Sequence, residues 1–482
     1  MTTPTGTETD AHARRVWPGA WVQERLEVIV RSTDSAVGVP LEDLVGLAVR
    51  RNPRRAHLLV STVLGKHVPV DPRLVLGAGM LLGRLVLDTL ARDGEAGDGA
   101  RRPDEEFRRA VRGDPGASSA LLKAMRDDDC PASPQGTVVL GFAETATALG
   151  HAVADTLRAP YLHSTRRPVT GISPVGGFEE EHSHATTHLL LPDDRGLLMG
   201  DGPLVLVDDE LSTGTTVLNT IRMLHAVHPR RRYVIASLVD LRDDADRSRM
   251  VAVADELGVT LDAVALAAGR IDVPADVLDI GKRLVTDMEA TVVAGPSTSG
   301  AGRVRRADLP WPTGLREGGR HGFTALDGVR LDEALPAIVA ELVPYVADRA
   351  RVHVLGFEEL MYAPLRLAAG LAEQLPAAEV TTSTTTRSPV LAVDHEGYAI
   401  RSRLVFAAHD GPADGPGERY AYNLSPAEPF DVVVVVIDKT ADTTALLGTD
   451  GLLTRLAEVV PDVVLAVIPD HRPDSPAADP DA

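Results

Sequence analysis

Short uninterrupted apolar runs alternate with helix-length amphipathic segments through much of this chain, and that alternation narrows the fold to one class. Segments 137–142 (TVVLGF), 203–209 (PLVLVDD) and 233–240 (YVIASLVD) lack the in-out alternation of a half-exposed strand, so each reads as a strand covered on both faces. Segments 144–158, 215–228 and about 245–257 repeat apolar residues at helical spacing. A strand that is apolar on both faces needs helices on both sides, so the expectation is an α/β fold built on a parallel sheet with flanking helices. The run 57–64 (HLLVSTVL) reads as a further strand.

The 482 residues allow two or three compact units. Residues 1–15 and 470–482 are polar and rich in Pro or Thr, and read as disordered ends. Residues 92–135 form a charged, Gly-rich insertion with room for one short helix, and 291–303 contain AGPSTSGAGR, a linker composition. The expected domains are therefore 16–290 and 304–469. A single cysteine, Cys130, excludes an internal disulfide framework and a Cys-based metal site. The apolar runs, such as 432–437, are shorter than a membrane span of ~18 residues, and 1–15 has no apolar signal core, so a cytoplasmic protein with no membrane partner is expected. Acidic residues exceed basic ones by 69 to 49, which argues against a binder of nucleic-acid backbone.

The two sides of the linker share three ordered matches. Segment 138–157 resembles 352–375 through a strand ending in Leu-Gly-Phe and a following helix, STRRPV (164–169) parallels TTRSPV (385–390), and VLVDDELSTGTTVL (205–218) parallels VVVIDKTADTTALL (434–447). An internal duplication with a degenerate second copy accounts for all three. Ala, Val and Leu recur in any α/β chain, which leaves coincidence as the bland alternative.

Segment 204–216 carries the most chemistry. Four apolar residues lead to Asp208 and Asp209 at a strand end, then Ser212, Thr213, Gly214, Thr215 and Thr216 open a helix. In open α/β sheets ligands bind at that end of the strands, and successive amides at a helix start make an anion cup that hydroxyls extend. Two carboxylates beside a phosphate cup suit a sugar diol attached to that phosphate. Glu210 adds a third acid of open role. Upstream, Gly141, Phe142, Ala143, Glu144 and Thr145 form another strand-to-helix loop, Arg166 and Arg167 end a strand with paired guanidinium forks suited to diphosphate, and Lys66, one of four lysines, sits in a Gly-Lys-His turn. Gly176-Gly177 precedes Glu181, His182 and His184, and with His188 these histidines also admit a zinc site. The glycines at 77, 79 and 83 are spaced for helix packing rather than for a dinucleotide.

The strand, Asp-Asp and Ser-Thr-Gly-Thr-Thr loop resemble the phosphoribosyl diphosphate (PRPP) motif of type I phosphoribosyltransferases. Together with Asn52-Pro53-Arg54-Arg55, the Leu-Gly-Lys-His turn, the His-Ser-Thr-Arg strand end, Glu-Glu-His-Ser-His and Thr386-Arg387-Ser388-Pro389, the chain resembles a bacterial family of the orotate-enzyme-like branch that carries a C-terminal TRSP domain and is associated with tellurium-resistance gene clusters. The resemblance implies a type I phosphoribosyltransferase-like sheet followed by a second α/β domain, and Mg²⁺-dependent transfer from PRPP to a nitrogenous base; a homodimer is expected. It assigns Asp208, Asp209 and Arg166 to catalysis, with Mg²⁺ held at Asp208 and Asp209 through PRPP. The PRPP contacts would be 212–216, 141–145, Arg167 and Lys66, under a hood holding Glu181, His182 and His184. Family hoods often carry a lysine, and this one has none. Two other readings fit the same residues: a non-catalytic PRPP or nucleotide sensor, and a metal-dependent hydrolase using the histidines.

Overall fold

The computed structural model describes residues 16–51, 55–91, 102–128, 130–169, 172–178, 188–291, 302–410, 417–424 and 429–471. The expected disordered end 1–15 and the hood residues Glu181, His182 and His184 lie outside them.

The first half holds a six-stranded sheet in the order Ile29–Ser35, Thr260–Asp272, Arg232–Asp240, Leu204–Leu211, Val138–Gly141, Tyr161–His163. Its neighbours run parallel except Ile29–Ser35, which is antiparallel to Thr260–Asp272. Alternate residues feed two cores. Val139, Val205, Val207 and Val234 pack with helices Pro72–Ala91 and Thr147–Leu157, while Leu140, Leu204, Leu206 and Ile235 pack with helix Thr215–Val227. Each such buried Val or Leu stabilises the fold by about 1.5–3 kcal/mol, which is why these strands are apolar on both faces.

The second half holds a five-stranded, all-parallel sheet in the order Arg303–Ala307, Asp462–Ile468, Val432–Asp438, Arg351–Gly356, Glu379–Thr384. Its last four strands reproduce the first sheet from Arg232–Asp240 to Tyr161–His163, and the three sequence matches fall on equivalent strand ends. Val139, Val205 and Val234 of one sheet are in register with each other, as Val354, Val434 and Val464 are in the other.

The halves cross over. Val70 and Thr382 exchange two backbone hydrogen bonds (3.1 and 2.8 Å), so the segment after Lys66 adds to the second sheet; Tyr161 and Phe323 do the same (2.8 and 2.7 Å), adding the segment after Arg320 to the first. The two crossing segments carry Gly65-Lys66-His67 and Gly319-Arg320-His321, a fourth match between the halves.

Several expectations need correction. Insertion 92–135 contains two helices, Asp104–Val111 and Ala117–Asp127, which bury Phe107, Leu121, Leu122 and Met125; the dense surface charge between these residues hid their helical spacing. Among the described residues, strand His57–Ser61 pairs with Val45–Val49 in a two-stranded antiparallel sheet apart from the main one. The presumed linker is shorter than 291–303, since helix Val277–Thr291 and strand Arg303–Ala307 claim both ends. The tail is tied down at its start: Thr440 Oγ1 donates to Asp470 (2.7 Å) and His471 N to Glu317 (2.9 Å). Helix Pro72–Ala91 is long and apolar enough to cross a membrane by length and composition, but 83% of its apolar window is buried inside the protein. Its glycines serve close packing, because a Cβ at Gly79 would stand 2.6 Å from that of Ala152.

Candidate functional site

Strand Leu204–Leu211 is buried through Val207, then half-buried from Asp208 to Glu210, so the acids emerge where the strand passes out of the core. Asp208 accepts the amide of Asp209 at 2.9 Å. Burial pushes the Asp209 carboxyl above the usual aspartate range, and the neighbouring Glu210 charge adds to this, opposed by Lys66. Glu210 is engaged elsewhere: Arg55 Nη2 donates to it at 2.6 Å, and although burial pushes its pKa up, Arg55 holds it below the ordinary value. The third acid is therefore a partner of Arg55, which leaves Asp208 and Asp209 as the pair at the strand end.

Behind them the chain turns through Gly214, whose φ of +76° favours glycine, and enters helix Thr215–Val227. Thr213 Oγ1 accepts the Thr215 amide at 3.3 Å and lies 3.0 Å from Thr215 Oγ1, which ties the turn to the helix start. A Cβ at Gly214 would come no nearer than 3.5 Å to another atom, so Gly214→Ala costs backbone strain without a clash. The expected loss is about 1–2 kcal/mol, read as a lower denaturant midpoint at unchanged slope.

The loop 141–145 follows strand Val138–Gly141 on the neighbouring position in the sheet. Its Ala143–Glu144 peptide is cis. Lys66 Nζ donates to Thr145 Oγ1 at 2.8 Å and stands 3.9 Å from Glu144 Oε2, so the crossing segment delivers its lysine to this loop. Arg166 Nε donates to His188 Nε2 at 3.1 Å, and its guanidinium lies 3.9 Å from Glu144. His188 also meets Ser164 Oγ at 3.0 Å through Nδ1, so both ring nitrogens are engaged within the protein, against its use as a zinc ligand. Among the described residues no group of three or more His, Cys, Asp or Glu is arranged to hold a metal.

Arg167 is not part of this constellation. Its guanidinium, expected at PRPP, reaches the second half, 2.9 Å from Asp438 and 3.0 Å from Asp410.

The second half also supplies residues that sequence reasoning did not place here. Thr386 Oγ1 donates to Glu144 at 3.2 Å, and Arg387 Nε is 3.5 Å from Glu144 while pairing with Glu358 at 2.7 Å. The reciprocal contact is Thr165 Oγ1 to Glu359 at 2.8 Å. The signal for both was the Thr-Arg strand end shared by the two halves.

Residues 44–270 match the family described as phosphoribosyl transferase, and residues 317–456 match the TRSP domain found C-terminal to it. No curated protein matches the chain. Similar solved structures include adenine phosphoribosyltransferase from Trypanosoma brucei in complex with AMP, pyrophosphate and ribose-5-phosphate, at 16% identity over 32% of this chain and 67% of that one, TM-score 0.23. Those from Giardia lamblia (19% identity, 34% and 82%, TM-score 0.21) and Rhodothermus marinus (19%, 38% and 97%, TM-score 0.22) are also adenine phosphoribosyltransferases. The chain carries a phosphoribosyl transferase domain followed by a TRSP domain, and is a transferase enzyme of the phosphoribosyltransferase kind.

Proposed function

We propose that the cradle formed by Asp208, Asp209 and the 212–216 turn takes the 5-phosphoribosyl group of PRPP and passes it to a nitrogenous acceptor, in the synthesis of a nucleoside-like metabolite. The observation that carries this reading is the pair of acids emerging from a buried strand directly before a positive-φ glycine turn and a helix start. The turn would hold the 5-phosphate and the acids the ribose hydroxyls. Lys66, Thr145 and Arg166 supply donors and positive charge at the neighbouring loop, where the departing diphosphate would lie. Asp208 and Asp209 are hard oxygen donors fit to hold Mg²⁺ together with oxygens of PRPP, and the bound ion would offset charge on the diphosphate. Positioning and charge stabilisation suffice, so no covalent nucleophile is needed.

Calorimetry of the protein with Mg²⁺ and PRPP tests the binding, and no heat from folded protein would overturn the reading. Because the Asp209 pKa is raised, its carboxylate is lost at a higher pH than an ordinary aspartate loses it. PRPP affinity should accordingly decline as pH is lowered through a range above that of free aspartate, and an affinity flat down to the ordinary range would count against Asp209. A sensor without turnover draws support from the absence of any lysine between 164 and 190. Diphosphate release with a panel of bases separates the two, since a sensor releases none.

A further inference from the structure

The two halves treat each other's strand ends unequally. Arg167 N donates to Thr165 Oγ1 at 3.0 Å, and Ser388 N to Thr386 Oγ1 at 3.2 Å, so Arg167 and Ser388 hold equivalent places. Asp438 likewise holds the place of Asp209, with Leu355 beside Val435 as Leu140 is beside Leu206. Arg167 pairs with Asp438 and with Asp410, stacks 5.4 Å over Phe357, and is joined by Arg320 at 3.7 Å from Asp438. Asp438 is wholly buried, and its other oxygen accepts the Ala441 amide at 3.0 Å. Ile437 replaces the first acid, and Thr443 stands at the glycine position with φ of −114°. That cradle has lost an acid, its phosphate turn and its open space. Ser388 has no guanidinium to do the same to Asp209, which stays half-buried.

We infer that the chain is an internal pair with one working cradle: Arg167 seals the second, and Ser388 is the residue that keeps the first open to a phosphoribosyl ligand. This rests on the phosphoribosyl reading of the first cradle. The TRSP half then acts as a built-in partner that walls the first site, with Arg387 beside Glu144 at its diphosphate end.

The test is calorimetry of the full chain with Mg²⁺ and PRPP, and with ribose 5-phosphate, on wild type, Ser388→Arg and Ser388→Ala. Wild type and Ser388→Ala should bind one equivalent of PRPP per chain. Ser388→Arg should bind both ligands at least about tenfold more weakly, equivalent to about 1.4 kcal/mol, while its melting temperature holds or rises as a guanidinium joins Lys66 in offsetting the Asp209 charge. Two equivalents bound by wild type, or a folded Ser388→Arg that binds like wild type, overturns the inference alone. No binding by wild type overturns the phosphoribosyl reading and this inference with it.

Discussion

Asp209→Asn is expected to abolish phosphoribosyl transfer while leaving the protein at least as stable as wild type. The two halves of that expectation have one cause. Burial and the adjacent Glu210 charge make an ionised Asp209 unfavourable in the folded protein, so the carboxylate is held there against its own preference. Asparagine removes the charge and preserves the shape. By the sign of linkage, an acid whose folded pKa is raised stabilises the fold only while protonated, and that contribution fades as pH rises through the raised value. A neutral side chain therefore loses nothing at neutral pH. Its loss falls on function, because a neutral amide cannot grip a ribose diol or a divalent cation as a carboxylate does. Loss of one preorganised charged contact typically costs about 10²–10³ in rate. Diphosphate release and thermal melting, measured on the same preparation, check both halves. Full activity in the variant refutes the role of Asp209, and a collapse in melting temperature refutes the account of its pKa.

The acids and turn of this site were legible in sequence because the whole device is local. Strand, acid pair, glycine turn and helix start follow one another from Leu204 to Thr216, and each has a backbone reason to stand where it does. Lys66 was legible only as a rarity; its approach to Thr145 depends on a crossing segment anchored to a strand of the other half. Arg166 and Arg167 were not separable, since both are arginines at one strand end and only the fold decides which way each points. The contacts of Thr165 with Glu359 and of Thr386 with Glu144 join residues 194 and 242 positions apart, beyond any local pattern. The ordered sequence matches held the clue to them, because two similar halves that cross over can make such a contact in both directions, as these two do.

Glu359→Gln is expected to destabilise the protein by about 3 kcal/mol, the scale for removing one member of a buried charged network. Glu359 comes from the second half and is almost fully buried, yet it accepts Thr165 Oγ1 at 2.8 Å and the Arg166 amide at 2.9 Å from the first, with Arg320 at 3.4 Å. Burial alone would push its carboxyl up, but Arg320, with His163 and Arg167, draws it down to about 2. A glutamine cannot answer the Arg320 and Arg167 guanidinium charges, and its amide nitrogen would confront donors where an oxygen now accepts. Since the folded pKa is depressed, the stabilisation is fully present above the unfolded value near 4.5 and is lost as pH falls from there through about 2. The gap in denaturant midpoint between wild type and Glu359→Gln should therefore be constant at neutral pH and close in acid. A gap that persists unchanged at pH 2 would mean that packing, rather than the carboxylate charge, is what Glu359 contributes between the two halves. The same variant also separates scaffold from chemistry, because Arg166 takes its backbone anchor from Glu359 and its side-chain anchor from His188. If the TRSP half positions the first site, PRPP affinity should weaken in Glu359→Gln even at a pH where the protein remains folded.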